Sequence, residues 1–262
     1  MMRFSVLISV YHKNTEEEVI DCFSSILEQS CQPDEIILVI DGPVNDSVRK
    51  VIDKYSDLLP IQCITQKVNM GLAKSLNIGL KYCSYEYVFR MDIDDICAHN
   101  RFRLQIEFLH RNPKVDILGG QILQFMNKGD WKVARKVPKD GQKLKSFFRF
   151  RNPVNHPTVA MRKAAIMQLG GYPETRLSQD YLLWIKAYST GLKIVNMPDI
   201  LVYMRVDNDL YARRGIKSCH YDLKPYEVMY EIGMTTTLEY IIGKTVRLSY
   251  CIYASLKSVL RK

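Results

Sequence analysis

Three carboxylates fall within four positions in the stretch Phe89-Arg90-Met91-Asp92-Ile93-Asp94-Asp95-Ile96. Like charges at that spacing repel, so a folded chain holds them together either in water or around a cation. Hard oxygen donors of this type suit Mg2+ or Mn2+, ions that often reach a protein partly through substrate phosphates. A bare D-x-D also describes a solvated acidic turn, and short acidic patterns recur by chance. Asp180 opens an amphipathic run, where a carboxylate serves equally well as a proton acceptor or as a helix cap. Asp41 closes an apolar run at Asp41-Gly42-Pro43, and His156 stands in Asn155-His156-Pro157-Thr158, a setting open to a structural or a pocket-lining imidazole.

The elements around these residues decide where they point. Apolar runs at 4–10, 35–40, 61–65 and 85–91 alternate with helical patterns at about 16–27, 46–55 and 72–82. That alternation predicts parallel βαβ units, with strands buried on both faces. In open sheets of this kind ligands bind beyond the carboxyl ends of the strands, which is where Asp41 and the 92–95 cluster fall. Thr15 followed by three glutamates is N-cap chemistry. Beyond His99 the pattern predicts a helix at 101–110, strand character at 115–125, a basic hairpin or loop at 128–139 and a short helix near Leu144. It continues with a strand at 155–161, a helix from Lys163, a helix capped by Ser178-Gln179-Asp180, and a last strand at 200–206.

The whole chain has 262 residues, 47% of them apolar and 25% charged, the balance of a globular α/β protein with a sizeable core. Its seven cysteines never form C-x-x-C, which argues against a zinc site or disulfide framework and suits a reducing cytoplasm. Met1-Met2-Arg3 runs straight into the first strand, and no secretory signal is expected there. Net charge is +9, and residues 212–262 carry nine Lys/Arg against four acids.

Taken in order, SVLISVY, VIDGP, NMGLAKSLNIGL, FRMDIDDI, NHPTVAMRK, GGYPE and SQDYLLWIKA span roughly residues 3–206. The set resembles the inverting family 2 glycosyltransferases of the GT-A fold, and its R-M-D-x-D-D-I variant is similar to bacterial O-antigen, capsule and exopolysaccharide transferases. The resemblance implies a mostly parallel mixed sheet flanked by helices, with a C-terminal helical extension. It implies a nucleotide-sugar half at 1–98, an acceptor half at 99–210 and a basic tail at 211–262. Ser9, Val10 and Tyr11 are expected to line the base pocket and Asp41 to contact uracil or ribose. Asn69 and Gly71 let the backbone approach the nucleotide, and Lys74 reaches the diphosphate. Asp92 and Asp94 are expected at ribose or donor sugar, with Asp94 and Asp95 as ligands of Mn2+ or Mg2+. Asp180 is the expected base, with His156, Gln179 and Trp184 on the acceptor side, and Arg205, Arg213 and Arg214 are expected to clamp the diphosphate. Two departures stand out: Gln179 replaces the usual Glu, and Asp207 stands where many relatives carry a metal-binding histidine.

The reading implied is transfer of a hexose from a UDP-sugar to a lipid-linked saccharide, on undecaprenyl diphosphate. Apolar positions in 238–260 mixed with Lys244, Arg247, Lys257, Arg261 and Lys262 predict a basic amphipathic helix lying on the inner face of the cell membrane or packing on the domain. Lys244 and Arg247 rule out a spanning segment. A sugar-1-phosphate nucleotidyltransferase would require a Gly- and Arg-rich loop after the first strand, and Tyr11-His12-Lys13-Asn14 is not one. A basic nucleic-acid-binding protein would leave the acidic cluster without a purpose, so no nucleic-acid partner is expected.

Overall fold

The run Phe4-Ser5-Val6-Leu7-Ile8-Ser9-Val10-Tyr11 forms β1 (Phe4–Tyr11), from which the rest of the sheet is laid out. A computed structural model of the chain describes residues 2–133, 136–206 and 215–260. β1 is apolar because both of its faces are covered. Phe4, Val6, Ile8 and Val10 enter one core with Phe23, Ile26, Ile52 and Phe102, while Leu7 enters a second with Leu76, Leu80, Leu183 and Trp184.

From β1 the chain passes through α1 (Glu16–Leu27), β2 (Glu35–Asp41), α2 (Asp46–Ser56), β3 (Ile61–Thr65), α3 (Leu72–Tyr82) and β4 (Tyr87–Arg90). α1 starts as its sequence dictates: Thr15 Oγ1 accepts from the Glu18 amide at 3.3 Å, and Glu18 Oε2 accepts from the Thr15 amide at 2.9 Å. β5 (Ile96–Cys97), α4 (Arg101–Arg111), β6 (Ile117–Phe125), β7 (Lys132–Val133) and α5 (Gly141–Phe148) follow. Then come β8 (Ala160–Arg162), α6 (Lys163–Gln168), α7 (Gln179–Ser189), β9 (Ile194–Arg205), α8 (Cys219–Glu231) and α9 (Thr237–Leu260).

The strands lie in the order β3-β2-β1-β4-β8-β6-β9-β5, with β7 added on β6. β1 pairs in parallel with both β2 and β4, so the chain goes to one side of β1 for β2 and β3 and to the other for β4. Such a reversal opens a crevice at the carboxyl ends of β1 and β4. β8 and β5 run antiparallel to their neighbours, making this a mixed α/β sheet.

The expected strand at 155–161 is instead a 3-10 turn at His156–Thr158 followed by the short β8. Pro157 has no N–H to give a ladder, and Thr158 Oγ1 turns back to the Asn155 carbonyl at 2.7 Å. The last strand begins at Ile194, not near 200; Pro198 interrupts its pattern and sits where the β6–β9 register shifts.

The tail is two helices. α8, which the sequence reading did not separate, docks through Tyr226, whose hydroxyl donates to the Phe150 carbonyl at 2.8 Å. α9 buries Gly243, Cys251 and Ala254 and leaves Leu238, Ile241, Ile242, Val246, Leu248, Ile252, Tyr253 and Leu256 exposed on its other side. No described helix is long and apolar enough to cross a membrane.

Candidate active site

Parallel pairing sets Tyr11 at the end of β1 beside Asp41 at the end of β2. Val10 is fully buried and Ser9 is half-buried, so of this trio Ser9 and Tyr11 retain accessible surface. Asp41 is 2% exposed, and both of its oxygens are used: Oδ1 accepts from the Met70 amide at 2.7 Å and Oδ2 from the Gly71 amide at 2.9 Å. Its carbonyl accepts from Asn69 Nδ2 at 3.2 Å. Asp41 thus shapes the 69–71 loop ahead of α3. Gly42 fits there only without a side chain, since φ is +82° and a Cβ would lie 2.6 Å from the Asn69 amide. Lys74, one turn into α3, is half-exposed and 3.5 Å from Glu174.

β4 delivers the acidic cluster. Asp92, Asp94 and Asp95 each bring an oxygen within 4.8 Å of the others, two of them half-buried and Asp95 buried. Burial, and then the Asp92 charge, push the Asp94 carboxyl up to about 7. Asp95 is raised by burial and by its two acidic neighbours, against the Arg205 amide and the Arg90 charge. One oxygen of Asp95 accepts from the Arg205 amide at 2.9 Å; the other, Oδ2, is buried without a hydrogen-bond partner among the described residues. An orphaned carboxylate oxygen beside two more carboxylates is the donor set of a hard divalent cation, and these residues fit one.

Arginine manages this charge. The guanidinium of Arg90, 1% exposed, donates to Asp92 Oδ1 from within the core, while its Nε and Nη1 have no partner among the described residues. Arg101, fully buried, holds the Arg90 carbonyl at 2.6 Å. Arg205, expected to face a diphosphate, is committed elsewhere. Its Nη2 donates to Asp21 on α1 at 2.6 Å, its Nε to the Asp94 carbonyl at 3.1 Å, and its plane lies 4.8 Å from the Phe125 ring. It fastens the acidic loop to α1, and Lys128 also donates to Asp21. Arg213, Arg214 and Asp207 lie outside the described residues.

Tyr172 joins this half to the other. Burial raises its phenol well above the ordinary tyrosine range; Arg90 opposes that rise, and the negative charges of Asp180 and Asp92 add to it. Arg90 and Asp92 from the end of β4 and Asp180 from α7 therefore lie within electrostatic reach of one hydroxyl. His156 Nε2 lies 2.9 Å from that hydroxyl, in a buried setting, and Asn77 grips the Tyr172 backbone at 2.7 and 2.8 Å. Asp180 is in the first turn of α7, and its Oδ2 accepts from Asn152 Nδ2 at 2.6 Å. The Asn152 amide is oriented by its own Oδ1, which accepts from the Val154 amide at 3.1 Å. Gln179 is 9% exposed, with Oε1 lacking a partner among the described residues.

Two expectations about α7 change. Trp184 is fully buried and meets His156 at 6.0 Å between rings, so it supports the imidazole and offers no face for an acceptor to stack on; α7 periodicity turns it to the core. Ser178 precedes the helix but makes no cap bond; its backbone is left-handed (φ 60°, ψ 17°) and its hydroxyl donates to Asp222 on α8 at 3.0 Å. Sequence reasoning passed over Arg90, Asn152 and Tyr172. Arg90 had a signal, a cation two residues before a carboxylate at a strand end; Asn152 and Tyr172 acquire meaning only from what folds against them.

The crevice at the switch point of this mixed α/β sheet, with the acidic cluster at its rim, is where sheets of this kind bind their ligands. The family model described as Glycosyl transferase family 2 matches residues 5–170. The chain is 35% identical over 250 residues to the amylovoran biosynthesis glycosyltransferase AmsE of Erwinia amylovora, covering 94% of both chains. It is 36% identical over 248 residues to the UDP-Gal:alpha-D-GlcNAc-diphosphoundecaprenol beta-1,3-galactosyltransferase of Escherichia coli, covering 94% of this chain and 90% of that one. The fold is similar to TarS 1-349 of S. aureus in complex with UDP-GlcNAc, with TM-score 0.71, 20% identity and coverage of 95% and 71% of the two chains. The chain belongs to glycosyltransferase family 2, and it is a glycosyltransferase.

Proposed function

We propose that the protein transfers a hexose from a UDP-sugar to a saccharide carried on a lipid diphosphate (undecaprenyl diphosphate) during synthesis of a bacterial surface polysaccharide. Attack is in line, with inversion at the anomeric carbon. The relatives' names support donor and acceptor class: one acts on a UDP-hexose and a diphosphoundecaprenol-linked sugar, another in amylovoran synthesis. The observation that carries the reading is the acidic cluster at the carboxyl end of β4, where Asp92, Asp94 and Asp95 bring oxygens within 4.8 Å of one another.

Residues 1–98 hold the donor: Ser9 and Tyr11 line the base pocket with the buried Val10 packed behind them, and the Asp41-shaped loop at Asn69 and Gly71 presents backbone to the nucleotide, with Lys74 nearby. Asp92, its Oδ1 held by Arg90, turns toward ribose or sugar. Asp94 and Asp95 would hold Mn2+ or Mg2+, which when bound supplies positive charge beside the departing diphosphate. Residues 99–210 hold the acceptor, with His156 and Gln179 along its path. Asp180 takes the proton of the acceptor hydroxyl as that oxygen bonds to the anomeric carbon and UDP leaves. Asn152 anchors Oδ2, leaving Oδ1 for that proton. The tail, 211–262, rests the enzyme on the cytoplasmic face of the membrane through the exposed apolar side of α9, a peripheral attachment.

The test is direct. Wild-type protein with Mn2+ is screened by mass spectrometry against UDP-hexoses and a lipid-diphosphate saccharide. Asp180→Asn is expected to keep Mn2+-dependent UDP binding and to lose about 10²–10⁴-fold in transfer rate. Full activity in that variant removes Asp180 as the base, and a wild-type protein that binds no UDP overturns the donor class.

A further inference from the structure

A groove of about 610 Å³ runs along α5 and the segment before it, away from the acidic cluster. Its floor includes Val137, Phe147 and Phe150, the last 40% exposed, and its sides carry Lys136, Lys143 and Arg151. Residues 136–151 hold six Lys/Arg (136, 139, 143, 145, 149, 151) against a single acid, Asp140. Lys136, Lys143 and Arg151 are all exposed, and none is ion-paired with a described residue. A basic rim over an aromatic floor asks for a ligand that is anionic at one end and hydrocarbon at the other.

Two neighbours of the groove say which. At one end Arg151 adjoins Asn152, whose amide holds Asp180 Oδ2 at 2.6 Å, so a ligand seated there ends beside the proposed base. At the other end α5 meets the tail. Arg149 pairs with Glu239 of α9 at 2.5 Å, and the Phe150 carbonyl accepts from Tyr226 of α8. Leu238, Ile241 and Ile242, the start of the exposed apolar side of α9, follow from that junction. The apolar surface thus begins beside the groove, and the groove leads toward Asp180.

We propose that this groove is the acceptor's lipid-diphosphate seat. Lys136, Lys143 and Arg151 take the diphosphate, Phe147 and Phe150 pack on the first isoprene units, and the saccharide extends past Asn152 to Asp180. The inference rests on the lipid-linked acceptor of the proposed function. It adds the place where the carrier is held, and it makes the enzyme select its acceptor by the carrier as well as by the sugar.

The probe is farnesyl diphosphate, kept below its micelle concentration in buffer with Mn2+ and titrated with and without UDP, and binding is followed by calorimetry. Wild-type protein is expected to bind it about tenfold or more tightly than farnesol or inorganic pyrophosphate, because both ends of the ligand are used. Lys143→Gln with Arg151→Gln is expected to weaken it about tenfold, while Tm and Mn2+-dependent UDP affinity stay unchanged. The same charge change at exposed Lys50 and Lys81 should have no effect. Unaltered affinity in the groove variant, or loss of the probe in proportion to added UDP, overturns the proposal. Pyrophosphate binding as tightly as farnesyl diphosphate overturns the lipid part of it. The two readings fail separately. Transfer to a carrier-free saccharide without farnesyl diphosphate binding sinks the groove and leaves the transferase chemistry intact. Groove-dependent binding with no transfer to any lipid-linked saccharide leaves the groove and sinks the acceptor assignment.

Discussion

Asp222 joins the C-terminal helices to the turn that carries Asp180, and replacing it with alanine tests that join. Its Oδ1 accepts from Ser178 Oγ at 3.0 Å, and its Oδ2 lies 2.6 Å from Arg247 Nη2 of α9, with side chains 1% and 21% exposed. Ser178 is the one non-glycine residue with positive φ among those described, a conformation that costs about 1–2 kcal/mol and holds only where neighbours enforce it. Asp222→Ala removes the Ser178 partner and the counter-charge of Arg247. Breaking a buried pair from one side costs about 3–5 kcal/mol; water reaches part of Arg247, which brings the expected loss to about 2–4 kcal/mol. Asp222→Asn keeps an acceptor for Ser178 and should lose about half as much. In a double-mutant cycle with Arg247→Met, urea unfolding followed by circular dichroism should give a coupling of about 1.5 kcal/mol or more. In the transfer assay Asp222→Ala should lower kcat and leave the KM for the UDP-sugar unchanged, because Asp41 holds the donor loop through its own bonds to the Met70 and Gly71 amides. Additive single variants, coupling under about 0.5 kcal/mol, and a wild-type kcat would refute the reasoning.

Three further outcomes are expected. Arg205→Gln removes the tie between Asp21 and the acidic loop, and Mn2+ affinity measured by electron paramagnetic resonance should fall about tenfold; an unchanged Mn2+ affinity would show that the loop stands without it. Burial, reinforced by the Arg90 charge, holds the His156 imidazole neutral well below its ordinary value. The unfolded chain protonates this histidine below about pH 6.5 and the folded chain does not, so its contribution is complete above that pH and is lost as the pH falls. From pH 7.5 to 5.5 that amounts to about 1.4 kcal/mol, or roughly 3–5 °C in Tm. Asp94 and Asp95, raised in the fold, act with the opposite sign, so the difference between wild type and His156→Gln isolates the histidine; identical pH profiles would contradict its buried neutrality. Finally, Ile241→Ser with Ile252→Ser and Leu256→Ser should release the protein from anionic liposomes without lowering Tm, since all three side chains face outward; retained binding would remove α9 as the anchor.

The tail shows where sequence stops informing. Its apolar and basic positions were legible, but Lys244 and Arg247 read there as cations free for a lipid surface. In the fold Lys244 lies 3.2 Å from Glu227 and Arg247 2.6 Å from Asp222, so both are answered by α8, and the apolar face remains as the candidate contact. A charge in sequence has no partner until a second helix is packed against it.

The alternation of buried strands with capped helices determined the sheet and brought Asp41 and Asp92–Asp95 to its carboxyl rim, because strand burial and helix capping are local and periodic. Asp180 at the start of α7 was likewise readable from its own helix. Only the tertiary structure decided how these groups are used. It put Arg90 under Asp92, drew Arg205 away toward Asp21, turned Trp184 inward behind His156 and set Asn152 on Asp180, 28 residues away. Apart from Arg90 and Asp92, which are two residues apart, these contacts join elements remote in sequence. The identity of one partner carries no imprint of the other until hydrophobic burial has fixed the elements that hold them.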